Sequence, residues 1–330
     1  MRAAVIGLGV GEQHALEYKK IDKVDLITVA DINLKKAEKF AMKNNVPNYT
    51  SDWKTVVEDP SIDVVSICSY DNMHAEQTIR ALNNKKHVMV EKPAVLFNQE
   101  ALKVLEALEK NKKYITSNLI LRRSPRFIKL KKKVEQGEFG DVFHIEGDYQ
   151  HNIEWKITEG WRGKMPFYCT VYGGGVHLID LMRWIINNEV SEVMAYGTNI
   201  PTRKSSYHSP DTITAILKYH NGATGKTMTT FSPQRTKFHS LNVFGTKKTF
   251  INDLPYAKIF DGTEDNNETK DKSSYPGIGK GELIPNFIES IRSGVKPNIN
   301  EVDIFRVMNI CFAINESLKT NQPVKVNYIV

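Results

Sequence analysis

Ala3-Ala4-Val5-Ile6-Gly7-Leu8-Gly9-Val10-Gly11 decides how the first half of the chain is read. Four apolar residues run straight into a glycine turn, and residues 11–20 then read as a helix. An apolar run without polar alternation is what a parallel strand covered on both faces requires. A glycine at its end lets the backbone pass close to a pyrophosphate, and the helix N-terminus beyond it offers N–H donors and the positive end of a dipole. The usual spacing is G-x-G-x-x-G; here the third glycine comes one residue early and Glu12 holds the usual place. Gly7, Gly9, Val10 and Gly11 are the dinucleotide candidates of this turn, and a purely structural glycine turn is the plainer alternative.

The same alternation continues to residue 117. Apolar runs at 25–30, 64–68, 87–90 and 114–117 are separated by helical stretches at 34–43, 74–83 and 99–110. This order predicts right-handed crossovers and an α/β, doubly wound parallel sheet of the Rossmann kind. Asp31 ends the second run, 22 residues beyond Gly9. A carboxylate there accepts hydrogen bonds from the adenosine ribose hydroxyls and repels a 2′-phosphate, which favours NAD over NADP. Lys35 and Lys36 are near enough to blunt the preference, and the plainer reading of Asp31 is an N-cap for the next helix.

Beyond residue 118 the pattern changes. A helix over 125–136 stops at Gly137, and longer strands follow at 142–150, 190–199, 212–219, 224–231, 238–244 and 247–252. Asn221-Gly222 marks a hairpin turn. Helices read at 177–187, 283–293 and 301–320. The expectation is a second, α+β domain with a mostly antiparallel open sheet and helices on one face. Residues 1–117 form the dinucleotide-binding domain, and 118–330 the substrate-binding and oligomerisation domain. Residues 261–281 are polar and read as a mobile loop. Val243, Phe244, Phe250 and Ile251 put apolar side chains on both sides of the sheet, so a homodimer or homotetramer through its uncovered face is expected.

Composition narrows the classes. In 330 residues, 41% are hydrophobic and 25% charged, enough for a sizeable core, so wholesale disorder is excluded. No run of 18 apolar residues occurs, so no membrane association through a spanning helix is expected. The stretch before Gly7 is too short for a signal-peptide core. Cys68, Cys169 and Cys311 fit neither a disulfide framework nor a metal-ligand pattern, which points to the reducing cytoplasm. The net charge of +7 mildly favours an anionic substrate. Lys129 and Lys131 to Lys133 lie in a helical pattern and read as a solvated face. No basic-aromatic module of the nucleic-acid-binding kind is present, so the expected partner is a small molecule.

Glu91-Lys92-Pro93 follows the run 87–90, where a strand end faces the ligand crevice, and a proline after the lysine permits a cis peptide. With the nucleotide turn and the two-part layout, the chain resembles the glucose–fructose oxidoreductase / inositol dehydrogenase (Gfo/Idh/MocA) family over nearly its whole length. Ser69-Tyr70-Asp71-Asn72-Met73-His74 looks like the family's T-P-N-x-x-H segment at the cofactor, with Thr-Pro replaced. The segment 118–125, with Arg122-Arg123, looks like the opening of the second domain. Gly173-Gly174-Gly175-Val176-His177-Leu178-Ile179-Asp180 looks like the glycine-rich entry to the active-site helix, and Ser293-Gly294-Val295-Lys296-Pro297 fits the C-terminal pattern. The resemblance implies an NAD(P)-dependent dehydrogenase or reductase of CH–OH groups on a sugar or polyol. It adds Tyr70, Asn72, His74, Glu91 and Lys92 to the cofactor side. His177 becomes the base that takes the hydroxyl proton, and Lys92 the cation that stabilises the developing alkoxide.

Two departures matter. Many members carry D-x-x-x-H, and Gly173 stands where that aspartate would be. Asp180, one helical turn after His177, reads as the orienting group or equally as a core-satisfied carboxylate, Tyr172 is a weaker candidate, and if the missing carboxylate matters, restoring it at 173 is expected to alter the pH dependence without abolishing turnover. Arg122, Arg123, Trp161, Arg162, Tyr172 and His177 are the substrate candidates, since aromatic faces with guanidinium forks suit sugars and diphosphates. They favour a nucleotide-linked or phosphorylated (amino)sugar. A free polyol of the inositol type is the alternative, and a dinucleotide-binding regulator without turnover is the reading from another class.

Overall fold

The computed structural model describes residues 1–165, 167–264 and 267–330. In chain order the first elements are β1 (Arg2–Ile6), α1 (Gly11–Tyr18), β2 (Asp25–Ala30), α2 (Leu34–Asn44), β3 (Asn48–Thr50), α3 (Trp53–Glu58), β4 (Val64–Ile67), α4 (His74–Asn83), β5 (His87–Val90), α5 (Asn98–Asn111) and β6 (Ile115–Ser117). Then follow α6 (Pro125–Glu135), β7 (Val142–Gln150), α7 (Trp155–Thr158), α8 (Val176–Ile186), β8 (Val190–Thr198), β9 (Thr212–Tyr219), β10 (Thr224–Thr230), β11 (Phe238–Gly245), β12 (Thr249–Ile251), β13 (Ala257–Phe260), β14 (Glu268–Asp271), α9 (Ile284–Ser293), α10 (Glu301–Thr320) and β15 (Val324–Lys325).

The chain forms two compact units. One holds Met1–Ile120 with Ile278–Arg306 and Ile329–Val330; the other holds Leu121–Gly277 with Val307–Tyr328. A single cut near residue 118 treats the chain as two consecutive blocks, whereas the structure returns α9 to the first unit. The reason is local: the backbone before α9 is tied to α1, with Lys280 N–H donating to Gln13 Oε1 at 3.2 Å.

The first unit has one parallel sheet in the order β3-β2-β1-β4-β5-β6. Its central strands β4 and β5 are mostly apolar and buried except at His87, as a sheet covered on both faces demands. The order reverses between β1 and β4, which opens a crevice at the C-terminal strand ends. Gly7, Asp31, Cys68, Glu91 and Asn118 each follow the last residue of a strand there. α2 starts on Asn33, whose side chain accepts from Lys36 N–H, so Asp31 is not its cap.

The second unit is a nine-stranded sheet in the order β14-β13-β12-β11-β7-β10-β9-β8-β15. It is mixed rather than purely antiparallel, because β7 and β10 run parallel. Its inner face carries Ile145, Leu217, Val193, Val243 and Phe250. Helix α8 lies on this face so closely that a Cβ on Gly147 would sit 2.5 Å from Met182 Sδ. Val243 and Phe250 are therefore core, a correction to their place in the expected interface. The outer face carries Met194, Tyr196, Ile216, Phe244 and Ile251, by strand alternation and register.

The segment 261–281 is not a plain loop. It contains β14, and Ser273 O accepts from the buried guanidinium of Arg126, which also reaches Asn252 Oδ1, Asp253 O and Pro255 O. Asp265 and Asn266 of that segment lie outside the described residues. Among the described residues no helix is long and apolar enough to cross a membrane. Cys68, Cys169 and Cys311 are buried thiols.

Candidate active site

The nucleotide turn is built by contact. Gly7 has φ +87°, donates its N–H to Ala30 O at 2.7 Å, and would place a Cβ 2.4 Å from Cys68 O. Only glycine serves there. Gly11 is as tight, its Cβ falling 2.8 Å from Val5 Cγ1, so α1 packs directly on β1. Gly9 faces open space, and Val10 holds the N-cap position of α1. The Asp31 carboxylate accepts Leu8 N–H at 2.8 Å and Asn33 N–H at 2.9 Å, with Lys36 Nζ 3.4 Å away. It braces the glycine turn and keeps lone pairs for a ribose. These residues fit a dinucleotide: an open glycine, a helix start and a fixed acid at adjacent strand ends.

Beside them, Tyr70 and Asn72 are exposed around the short turn Asp71–Met73. His74 is turned inward. Its Nδ1 lies 2.7 Å from Pro93 O and its Nε2 3.2 Å from Ser69 O. A neutral ring donates only one of these, and the shorter contact assigns the proton to Nδ1. His74 thus staples two strand-end turns together.

Glu91 is held in the same way. Its Oε1 accepts from Asn118 Nδ2 at 2.6 Å and lies 3.3 Å from His14 Nε2, and its Oε2 accepts Lys92 N–H at 3.2 Å. Burial alone would raise its carboxyl; His14, Lys92 and Asn118 outweigh burial and hold it down at about 2. His14 Nδ1 in turn meets Ser66 Oγ at 3.2 Å, and Tyr18 Oη meets the same hydroxyl at 3.0 Å. The sequence reading missed His14, Ser66 and Tyr18. The available signal was position: His14 lies three residues after Gly11, on the inward face of α1. Lys92 stands half-buried after β5, and its bond to Pro93 is cis.

In the second unit a π-helical turn, Val171–Gly175, runs directly into α8. Such turns often mark functional sites. Each glycine of the run is pressed by a neighbour. A Cβ on Gly173 would lie 1.9 Å from Tyr168 Oη, on Gly174 2.7 Å from the Tyr149 ring, and on Gly175 2.3 Å from Thr229 Oγ1. A side chain at position 173 therefore requires the Tyr168 hydroxyl to move. His177 follows on the first turn of α8, its ring stacked on Tyr149 at 6.2 Å between centroids and edge-on to His239 at 6.5 Å. Burial first, then Lys237 and His151, push His239 down to about 3, so it is neutral at physiological pH.

Asp180 is committed to charge pairing. It takes two hydrogen bonds from Arg122, 2.8 Å from Nε and 2.5 Å from Nη2, and Arg183 Nη1 is 3.8 Å away. Arg122 is accordingly a buried anchor of α8 rather than a fork presented to a ligand. Arg123 is exposed. Tyr172 is core: its ring packs edge-on against Phe167 and Phe312, and burial, then Cys169, Cys311 and Glu316, push its phenol far up. Arg162 stacks on Trp161 at 4.3 Å and reaches over Tyr168 at 5.7 Å. Tyr149, Tyr168 and Phe231, unforeseen, line this glycine turn.

The Glu91 cluster makes a testable contribution to stability. Its carboxyl is depressed from an ordinary 4.5 to about 2, so its stabilisation is complete above pH 4.5 and is lost as pH falls towards 2. Glu91→Gln should cost about 1–3 kcal/mol at neutral pH and flatten that acid slope in urea titrations. An unchanged slope would remove Glu91 as its source.

Comparison with known proteins agrees with this geometry. Residues 1–119 match the oxidoreductase family with an NAD-binding Rossmann fold, and residues 127–251 match the GFO/IDH/MocA C-terminal domain. Myo-inositol 2-dehydrogenase of Thermotoga maritima is 26% identical over 343 residues, covering 100% of both chains. The scyllo-inositol 2-dehydrogenase (NAD(+)) of Bacillus subtilis is 24% identical, covering 99% of this chain and 96% of that protein. A levoglucosan dehydrogenase solved with NADH and levoglucosan superposes with a TM-score of 0.89 over 100% of each chain, at 22% identity. With both of its domains matched in order, the chain belongs to the GFO/IDH/MocA family of NAD-binding oxidoreductases.

Proposed function

We propose that this oxidoreductase is an NAD-dependent dehydrogenase of a free cyclic polyol or sugar of the inositol type. The observation that carries the reading is that two relatives covered over nearly their whole length are named inositol dehydrogenases, and Lys92 at the end of β5 and His177 on the first turn of α8, each within its own unit, supply the groups such chemistry needs. The nucleotide-linked or phosphorylated sugar loses one of its supports, because Arg122 is held by Asp180. Three buried thiols support a cytoplasmic setting.

His177 takes the proton of the substrate hydroxyl. The Lys92 ammonium stabilises the negative charge that grows on that oxygen. Asp31 binds the adenosine ribose, and the glycine turn with the start of α1 receives the pyrophosphate. NAD, when bound, accepts the hydride that leaves the carbon. Asp180 and Arg122 hold α8, and with it His177, in place.

A panel of free polyols, free sugars and nucleotide-linked sugars, followed by NADH formation, tests the substrate class. Turnover confined to nucleotide-linked sugars would contradict it. On the active substrate, Lys92→Ala and His177→Ala should each lower kcat by about 10²–10⁴-fold while NAD binding barely changes, and the double variant should lose less than the product. A wild-type rate in His177→Ala removes that histidine from the mechanism.

Fluorescence titration should show NADH binding more tightly than NADPH by about 1–3 kcal/mol, the scale of setting a phosphate against a fixed carboxylate. Equal affinities would detach Asp31 from the ribose. The outer sheet face, with Tyr196 and Ile216 exposed, is proposed as the contact between copies in a dimer or tetramer. Light scattering at micromolar concentration checks it, and a monomer refutes it.

A further inference from the structure

His239 lies on β11, on the inner face of the sheet, directly across from Tyr149 of β7. Only 4% of its surface is exposed. Its ring is edge-on to His177 at 6.5 Å and tilted on Tyr149 at 5.6 Å. Tyr275 fixes it from another side. Tyr275 Oη accepts the His239 backbone N–H at 2.7 Å and lies 2.9 Å from Nδ1 of the same residue. The phenol is itself held, its ring edge-on to Phe127 and Phe238 with Arg126 over it at 5.2 Å. Burial, against the His239 amide, Arg126, Asn252 and Arg235, pushes Tyr275 up to about 12, so it keeps its proton. That proton has one good acceptor. His239 O is 3.5 Å away and already takes Asn252 Nδ2–H at 2.7 Å, so the phenol donates to Nδ1. A neutral imidazole that accepts at Nδ1 carries its own proton on Nε2. That N–H points away from Tyr275, and among the described residues it has no hydrogen-bond partner.

We propose that His239 determines specificity: its Nε2–H, set by Tyr275, donates to a second oxygen of the substrate beside the one that His177 deprotonates, and so selects an oxygen against an ammonium at that place. This rests on the reading of His177 as the base. A buried N–H without an acceptor is costly, and a ligand oxygen relieves the cost. A hydroxyl, ether or carbonyl oxygen can accept it; an ammonium, which only donates, cannot. Lys237, whose Nζ lies over the Tyr149 ring at 5.9 Å, repels a second cation there. The substrate class narrows to free polyols or sugars that carry oxygen rather than an amine at that neighbouring position. An amino sugar is disfavoured on this ground.

Three substitutions separate the parts. Tyr275→Phe keeps the ring that packs on Phe127 and Phe238 and removes only the hydroxyl, so Nδ1 loses its donor and the tautomer is no longer set. His239→Gln keeps a neutral side-chain N–H with about the reach of Nε2. His239→Phe keeps a flat ring and removes both nitrogens.

The test uses the full chain. Nitrogen-15 NMR of the imidazoles, with His239 assigned by its loss in His239→Gln, reads the tautomer without substrate. The wild type should show Nε2–H alone at neutral pH, and Tyr275→Phe a mixture with Nδ1–H. Adding the free polyols of the panel to the NADH complex should shift the His239 Nε2 signal. On the active polyol, His239→Phe should raise KM about tenfold or more with kcat changed less, and His239→Gln should recover most of that loss. Among analogues with one hydroxyl replaced by an amine, at least one should fall about tenfold or more below its parent in kcat/KM, and His239→Phe should narrow that gap. Melting temperatures close to wild type show that packing is intact. An Nδ1–H tautomer in the wild type, equal losses in the Phe and Gln variants, or turnover without a shift of Nε2 overturns the proposal and leaves the functional reading standing. A shift without turnover does the reverse, and neither shift nor turnover refutes both.

Discussion

Close approach of backbone to backbone and ring is the constraint on which the rest depends. At β1 a Cβ on Gly7 would collide with Cys68 O and one on Gly11 with Val5, so α1 can start against the sheet only because both are glycine. At α8 the same holds three times over, with Tyr168, Tyr149 and Thr229 as the opposing groups. Each glycine forfeits local backbone entropy. In return, one helix start comes within reach of a dinucleotide, and another sets His177 into an aromatic and histidine cluster.

Around these approaches the buried polar groups are paired, which is what lets charge sit in the interior. Glu91 is shared by His14, Asn118 and the Lys92 amide, and Asp180 is gripped by Arg122. Lys92 and His177 thus adjoin charged residues that are themselves anchored. Removing an anchor leaves its partner buried and unsatisfied.

What could be read from residues alone follows from local physics. The strand at 25–30, the helices at 74–83 and 301–320 and the hairpin at Asn221-Gly222 all reappear, because apolar runs, helical periodicity and turn residues act over a few positions. β3, β13, β14 and β15 did not stand out: they are two to four residues long and lie at or near sheet edges, where pairing with a neighbour defines the strand more than composition does. The buried partners of Glu91, His74 and Arg122 escaped the sequence for a shared reason. A polar residue at a strand end reads alike whether it faces a ligand or a buried partner, and only the contact to His14, Pro93 O or Asp180 separates the two. Tyr168 carried no signal, since its meaning lies in the space beside a glycine five residues on.

The central claim is that the chain moves a hydride from the CH–OH carbon of a free polyol to NAD. Incubation of the protein with NAD and myo-inositol deuterated at each ring carbon, followed by NMR of the recovered cofactor, tests it most directly. The account predicts deuterium at C4 of the nicotinamide ring, absent when His177→Ala replaces the wild type. Unlabelled cofactor from a protein that binds NADH, with this and other ring-deuterated free polyols, would contradict it.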